Sequence, residues 1–207
     1  MQHIATSKAG RETEQPARAT DTFSTRAIIA ADRAIYRFAH HWLFAFNGVS
    51  TGFAGAIVAA PLLAARDHAG AARPFYSLFS FVCHQDPDRS FHLLGHQFAC
   101  CERCAAIYFS IALFGMLFAF LRAGVRKPAY VEVVALVSPV ILDGMAVGSG
   151  LYDGNLVMRV VTGTLFGFAL IWLLYPRFEA GFNAIRQRLE ALFDRLVAQG
   201  RALPLAR

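Results

Sequence analysis

Apolar residues run along this chain in blocks too long and too continuous for a soluble core. Residues 42–65 hold 24 positions without a charge, and the hydrocarbon core of a bilayer needs roughly 20. Residues 104–121 add 18, rich in Phe and Leu. Residues 160–176 add 17, closed by Trp172 and Tyr175, the aromatic types that favour interfacial depth. A fourth block, residues 129–151, is interrupted by Glu132 and Asp143 but apolar elsewhere, as in Val133, Val134, Ala135, Leu136 and Val137. The pattern predicts an all-α integral membrane protein of about four transmembrane helices, forming a membrane domain over residues 42–176.

The flanks read differently. Residues 1–25 are polar with mixed charge and no apolar stretch of the kind a signal peptide carries, which predicts a disordered polar tail and membrane insertion through an internal helix. Over residues 26–41, Ile28, Ala31, Ile35 and Phe38 recur at helical spacing and predict an amphipathic interfacial helix. At the other end, residues 177–207 carry Phe182, Ile185, Leu189, Leu192 and Leu196 in a stripe, with Arg186, Arg188, Glu190 and Arg195 off it. Such a helix either lies on the inner membrane surface or docks as a short coiled coil, on a second copy of the chain or on a membrane partner.

Composition supports lipid as part of the solvent. Hydrophobic residues make up 56% and charged residues only 16%, against roughly 25% charged in soluble domains. The net charge of +6 is not a nucleic-acid footprint, because the basic residues lie at both termini and in one tight loop, with no aromatic-interleaved patch. Their distribution predicts orientation instead. With four spans and a cytoplasmic N-terminus, the cytoplasmic pieces hold 15 of the 20 Lys and Arg, and the outer side keeps Arg66, Arg73, Arg89, Arg103 and Arg159. The positive-inside rule therefore predicts a multi-pass protein of the cell membrane with both termini cytoplasmic and the loop between helices 1 and 2 extracytoplasmic.

That loop and the first residue of the second span hold all four cysteines. Cys83 and His84 follow an apolar segment, residues 74–82, too short to span and expected in the interface or re-entrant between helices. Cys101 and Cys104 form a C-x-x-C pair at the mouth of the second span. Two thiolates on one turn, a third from Cys83 and an imidazole from His84 make a four-ligand set for a tetrahedral ion, zinc foremost. His92 and His96 are alternative fourth ligands, and Cys100 points away from the Cys101/Cys104 face. Three chemistries fit these residues: a structural zinc site tying loop to helix, a redox-active dithiol at a helix N-terminus, or a catalytic metal site with an open position. An inert disulfide also satisfies the spacing. The redox reading needs Cys83 and Cys100 as its second pair.

Charges within the apolar blocks converge on the same end. Asp143 falls one to two turns below the outer end of the third span and Arg159 begins the fourth. An intramembrane carboxylate faces a partner or a wet cavity, and Arg159 is its natural counterion, with Arg89 and Arg103 on that face too. Asp143, Arg159 and Arg89 are the candidate catalytic residues if the protein is an enzyme. Asp143 would be the carrier group if it is a small transporter. Gly48 and Gly52, Gly144 and Gly148, and Gly163 and Gly167 are spaced four apart, a pattern that lets helix backbones approach closely.

Cys83-His84-Gln85-x-Pro87-x-Arg89-Ser90-Phe91, followed by Cys101-x-Arg103-Cys104-x-x-Ile107-Tyr108, resembles the signature of a bacterial and archaeal membrane family, domain of unknown function 2085. The resemblance extends to Asp143-Gly144 and to Arg159-x-x-Thr162-Gly163-x-x-x-Gly167, and it covers roughly residues 41–174. It implies a helical membrane protein and carries no biochemical role.

Overall fold

The computed structural model describes residues 23–200 and 204–205. Apart from residues 23–25, which open the first helix, the tail expected over residues 1–25 lies outside the described residues. Five α-helices account for most of the chain: α1 (Phe23–Ala64), α2 (Ala69–Ser80), α3 (Glu102–Leu121), α4 (Tyr130–Gly148) and α5 (Leu156–Ala198). Four of them, all but α2, are long and apolar enough to cross a membrane. A two-stranded hairpin, β1 (His92–Leu93) and β2 (His96–Gln97), sits in the α2–α3 connection. Leu94 and Gly95 turn it with φ of +53° and +78°. Two consecutive positive φ values are the mark of a tight hairpin turn matched to strand twist.

The helices are arrayed as α1, α3, α5, α4, with α3 against both α1 and α5 and α2 lying on α1. The tightest approach is between α3 and α5. A Cβ at Gly163 would stand 2.6 Å from the Arg103 carbonyl oxygen, and one at Gly167 would stand 2.9 Å from that of Ile107 and collide with Ser110 Oγ. Of the three glycine pairs in the sequence, this one packs helix on helix. Gly144 borders the Arg103 side chain instead, and a Cβ at Gly48, Gly52 or Gly148 would meet nothing within 4 Å.

Two helices are longer than the spans they contain. α1 runs 42 residues and α5 runs 43, so the boundaries expected at Trp42 and Pro176 are not breaks in the chain. Pro176 removes one backbone donor without ending α5; the Arg177 guanidinium bonds the Leu173 carbonyl at 2.7 Å. The extensions run antiparallel and pack on each other. Phe38 meets Phe182 edge-on at 5.6 Å, Trp42 stacks on Phe182 at 5.3 Å, Arg33 lies over the Phe193 ring at 5.7 Å, and Tyr36 donates to Glu190 at 2.9 Å. The two flanking segments are thus continuations of α1 and α5 in contact with each other. The packed face carries Tyr36, Ala39 and Phe193, all buried, whereas Ile28, Ile35 and Phe38 of the α1 stripe and Ile185 and Leu192 of the α5 stripe stay exposed. The start of α1 and the end of α5 therefore lie at the same end of the bundle, opposite the α2–α3 connection.

A proline also docks that connection. Pro61 lies inside α1 and lacks the N–H that would bond the carbonyl of Ile57 four residues earlier. That carbonyl instead accepts the Ala99 N–H at 3.4 Å. Ile57, Ala60, Phe79, Cys83, Ala99, Cys100 and Ala105 close over it as one buried cluster, each no more than 6% exposed.

Candidate metal centre

The apolar segment expected over residues 74–82 forms the second half of α2 and its exit, with Phe79 buried against α1. α2 ends where the Cys83 N–H bonds the Phe79 carbonyl at 2.9 Å. The chain then turns sharply at Gln85, whose φ is +53°. The Gln85 amide supports that turn: its Nε2 donates to the carbonyls of Tyr76 at 2.7 Å and Ala99 at 2.8 Å, and its own backbone carbonyl accepts from Gln97 Nε2 at 2.6 Å. Tyr76 closes the ring by donating to the Gln97 carbonyl at 2.6 Å. Asp86 and Pro87 begin a 3-10 turn, capped by the Asp86 carboxylate on the Asp88 N–H at 3.1 Å. Buried amides cost free energy unless paired, and this network pairs the backbone that carries Cys83 toward α3.

The result is a cluster of three sulfurs. Sγ of Cys83, Cys101 and Cys104 lie within 4.8 Å of one another, close enough to converge on one ion; thiolates around a tetrahedral zinc with Zn–S of about 2.3 Å stand about 3.8 Å apart. Cys101 is the N-cap of α3 in extended conformation, and its side chain makes no capping bond. Cys104 stands in the first turn of α3. Cys83 Sγ also accepts two backbone N–H groups, from Cys101 at 3.2 Å and Gln85 at 3.4 Å. The thiols of Cys101 and Cys104 hydrogen-bonded to it, with those backbone donors, pull its pKa down from 9.0 to about 2 against the opposing effect of burial. Of the three sulfurs, that of Cys83 is the one whose ionisation the surroundings favour.

His84 lines the same cavity, but neither its ring nor those of His92 and His96 joins the converging set among the described residues. The four-ligand set expected from spacing is thus a three-sulfur set in the structure. Cys100 is completely buried in the α1–α2 core, and its thiol pKa is pushed up by burial first and by Cys83 and Cys101 second. It contributes packing to the loop and stands outside the trio.

The charged residues pair differently from the expectation. Asp143, 8% exposed, is bonded by Arg103 of α3. Arg159 instead meets Glu102 at 3.1 Å and the Asp153 carbonyl at 2.9 Å. Arg89 pairs with Asp86 at 3.3 Å in a half-exposed contact. The expected Asp143–Arg159 pair does not form, because Arg103, in the first turn of α3, stands at the depth of Asp143. Glu102 was legible in the sequence as a charge at the same mouth, but its place inside the C-x-x-C spacing draws attention to ligands rather than charge balance. Gln85 carried no signal of its own, since its partners are backbone carbonyls distant in sequence.

Beside the sulfurs opens a cavity of about 490 Å³. Cys83, Cys101 and Cys104 line one wall, Arg89, Arg103 and Arg159 reach it from the loop, α3 and α5, and Gly144, Val147 and Gly148 of α4 form the far side.

Comparison with known proteins agrees with this architecture. A family model described as a predicted membrane protein, domain of unknown function 2085, matches residues 83–173. An uncharacterized protein of Methanocaldococcus jannaschii is 30% identical over 105 residues, covering 50% of this chain and 67% of that protein. An uncharacterized protein of Methanothermobacter thermautotrophicus is 36% identical over 94 residues, covering 44% of this chain and 83% of that protein. No solved structure matches. The matched region begins at Cys83 and ends in α5, so it contains the sulfur trio, both buried ion pairs and the α3–α5 contact; the chain belongs to the membrane protein family of domain of unknown function 2085.

Proposed function

We propose that this membrane protein carries a zinc centre on its extracytoplasmic face, bound by Cys83, Cys101 and Cys104, with its fourth coordination position open to the adjoining cavity. One observation carries the reading: three sulfurs within 4.8 Å of one another line a cavity wall, with no imidazole among them. Closed structural zinc sites take four protein ligands, whereas sites that bind or transform a ligand keep three and leave a position free. The metal holds the α2–α3 loop on the bundle and offers an electrophile to a small ligand, in a binding or enzymatic role. The oxidoreductase alternative has less support, since Cys100, needed for a second dithiol, is sealed in the core.

The sidedness rests on 15 of 20 Lys and Arg falling at the termini end and in the α3–α4 turn. Impermeant thiol reagent applied to intact cells labels a cysteine placed at exposed His96 and spares one at exposed Ala191; the reverse pattern inverts the assignment. Elemental analysis with free-thiol counting on detergent-purified protein tests the centre itself. One zinc per chain is expected. Negligible metal together with a Cys101–Cys104 disulfide overturns it.

A further inference from the structure

We propose that the cavity beside the sulfur trio is a seat for a phosphate-class oxyanion, held between the metal's open position and the guanidinium groups of Arg89, Arg103 and Arg159. The inference rests on the metal reading above and names the ligand of that same site. Its volume of about 490 Å³ is ample for a phosphate ester and small for a peptide.

The charge facing the cavity selects the ligand. Three guanidinium groups line it, against a single carboxylate, that of Asp86. The carboxylates that neutralise Arg103 and Arg159, those of Asp143 and Glu102, stand behind them and outside the lining. Arg103 and Arg159 thus have their counterions on one side and the cavity on the other, while Arg89 pairs with Asp86 within the lining. Arg103 bonds Asp143 through Nη2, while its Nε is buried with no partner, as is Asp143 Oδ1. Glycine keeps the opposite wall low, since a Cβ at Gly144 would stand 3.4 Å from Arg103 Nη1.

Three forks arriving from the loop, α3 and α5, together with a metal, outnumber the two oxygens of a carboxylate, so that some must share an acceptor atom. A tetrahedral oxyanion presents one oxygen to the metal and others to the guanidiniums, each with the planar two-donor geometry that suits phosphate. The cavity lies at the end of the spans, at the depth of lipid headgroups. Free phosphate and a phospholipid headgroup present the same chemistry there.

The test uses the full chain purified in detergent and loaded with Co²⁺, whose thiolate charge-transfer band reports the centre and whose d–d bands report the fourth ligand. Inorganic phosphate is expected to shift the d–d bands saturably, acetate at equal concentration to leave them. Arg89→Gln, at a half-exposed position, is expected to weaken phosphate about tenfold, the loss of one charged hydrogen bond, and Arg89→Lys to weaken it less. A shift with inorganic phosphate assigns a soluble ligand. A shift only on reconstitution into phosphatidylglycerol vesicles, and not into neutral diacylglycerol–detergent micelles, assigns a headgroup. An intact charge-transfer band with no response to either source overturns the oxyanion seat and leaves the metal centre standing. An equal response to acetate also overturns it. Failure of the charge-transfer band itself overturns both.

Discussion

Arg159 and Glu102 meet at 3.1 Å with side chains 10% and 12% exposed, joining the first turn of α5 to the first turn of α3. The next residue, Arg103, reaches the other way to Asp143 of α4. The two residues enclosed by Cys101 and Cys104 therefore carry two buried ion pairs, opposite in sign and directed to different helices. A cation that fixes the two sulfurs fixes the helical turn on which both pairs depend, so loop chemistry and bundle assembly share one piece of backbone.

Breaking the first pair from one side should be costly. Arg159→Leu leaves Glu102 charged and buried, a change worth about 3–5 kcal/mol. The double variant Glu102→Gln/Arg159→Leu removes both charges and should recover a large part of that loss. Thermal unfolding in detergent measures it, and equal destabilisation of single and double variants would show that the pair itself is not the cause.

The cysteines should divide three to one. Cys83→Ser, Cys101→Ser and Cys104→Ser each lose a ligand, and metal content should fall to near zero. Cys100→Ser should retain metal while losing about 1–3 kcal/mol of stability, because it buries a hydroxyl in an apolar cluster. His84→Ala should retain metal as well. Elemental analysis of the five purified variants checks the division, and metal loss in His84→Ala would restore the imidazole to the ligand set.

Acidification should empty the centre. The folded pKa of Cys83 lies far below its ordinary 9.0, at about 2. A group depressed on folding contributes stability that is complete above its unfolded value, here about 9, and diminishes as pH falls toward the folded one. Cys101 is displaced upward, so the gain does not extend to strongly alkaline solution. Metal binding adds the same sign, since its ligands must be deprotonated. Metal-free protein at neutral pH should show thiolate ultraviolet absorbance that Cys83→Ser lacks, and bound metal should decline steadily on titration to acid.

Glycine should matter at one helix contact and not at another. Gly167→Ala forces a methyl onto Ser110 and the Ile107 carbonyl and should cost about 1–3 kcal/mol, as overpacking does. Gly48→Ala meets nothing within 4 Å and should be neutral or mildly stabilising in a helix. The difference between their unfolding midpoints tests the α3–α5 approach directly.

Much of the architecture was legible without coordinates. The length of an uncharged apolar run against the thickness of a bilayer is a local property, so the helices that cross were readable as runs. The grouping of Cys83 with Cys101 and Cys104 followed from thiol spacing near one helix start. What the tertiary structure alone decided concerns rotation and register. Whether Asp143 faces Arg159 or Arg103 depends on how α3, α4 and α5 are turned about their axes and how deeply each starts. An apolar run says nothing about either. The same holds for Pro61, whose freed Ile57 carbonyl finds Ala99 some forty residues away, and for the rings of Phe182 and Phe193, which meet Phe38 and Arg33 of α1. Composition determines which segments leave water; only the packed bundle determines which partners they meet there.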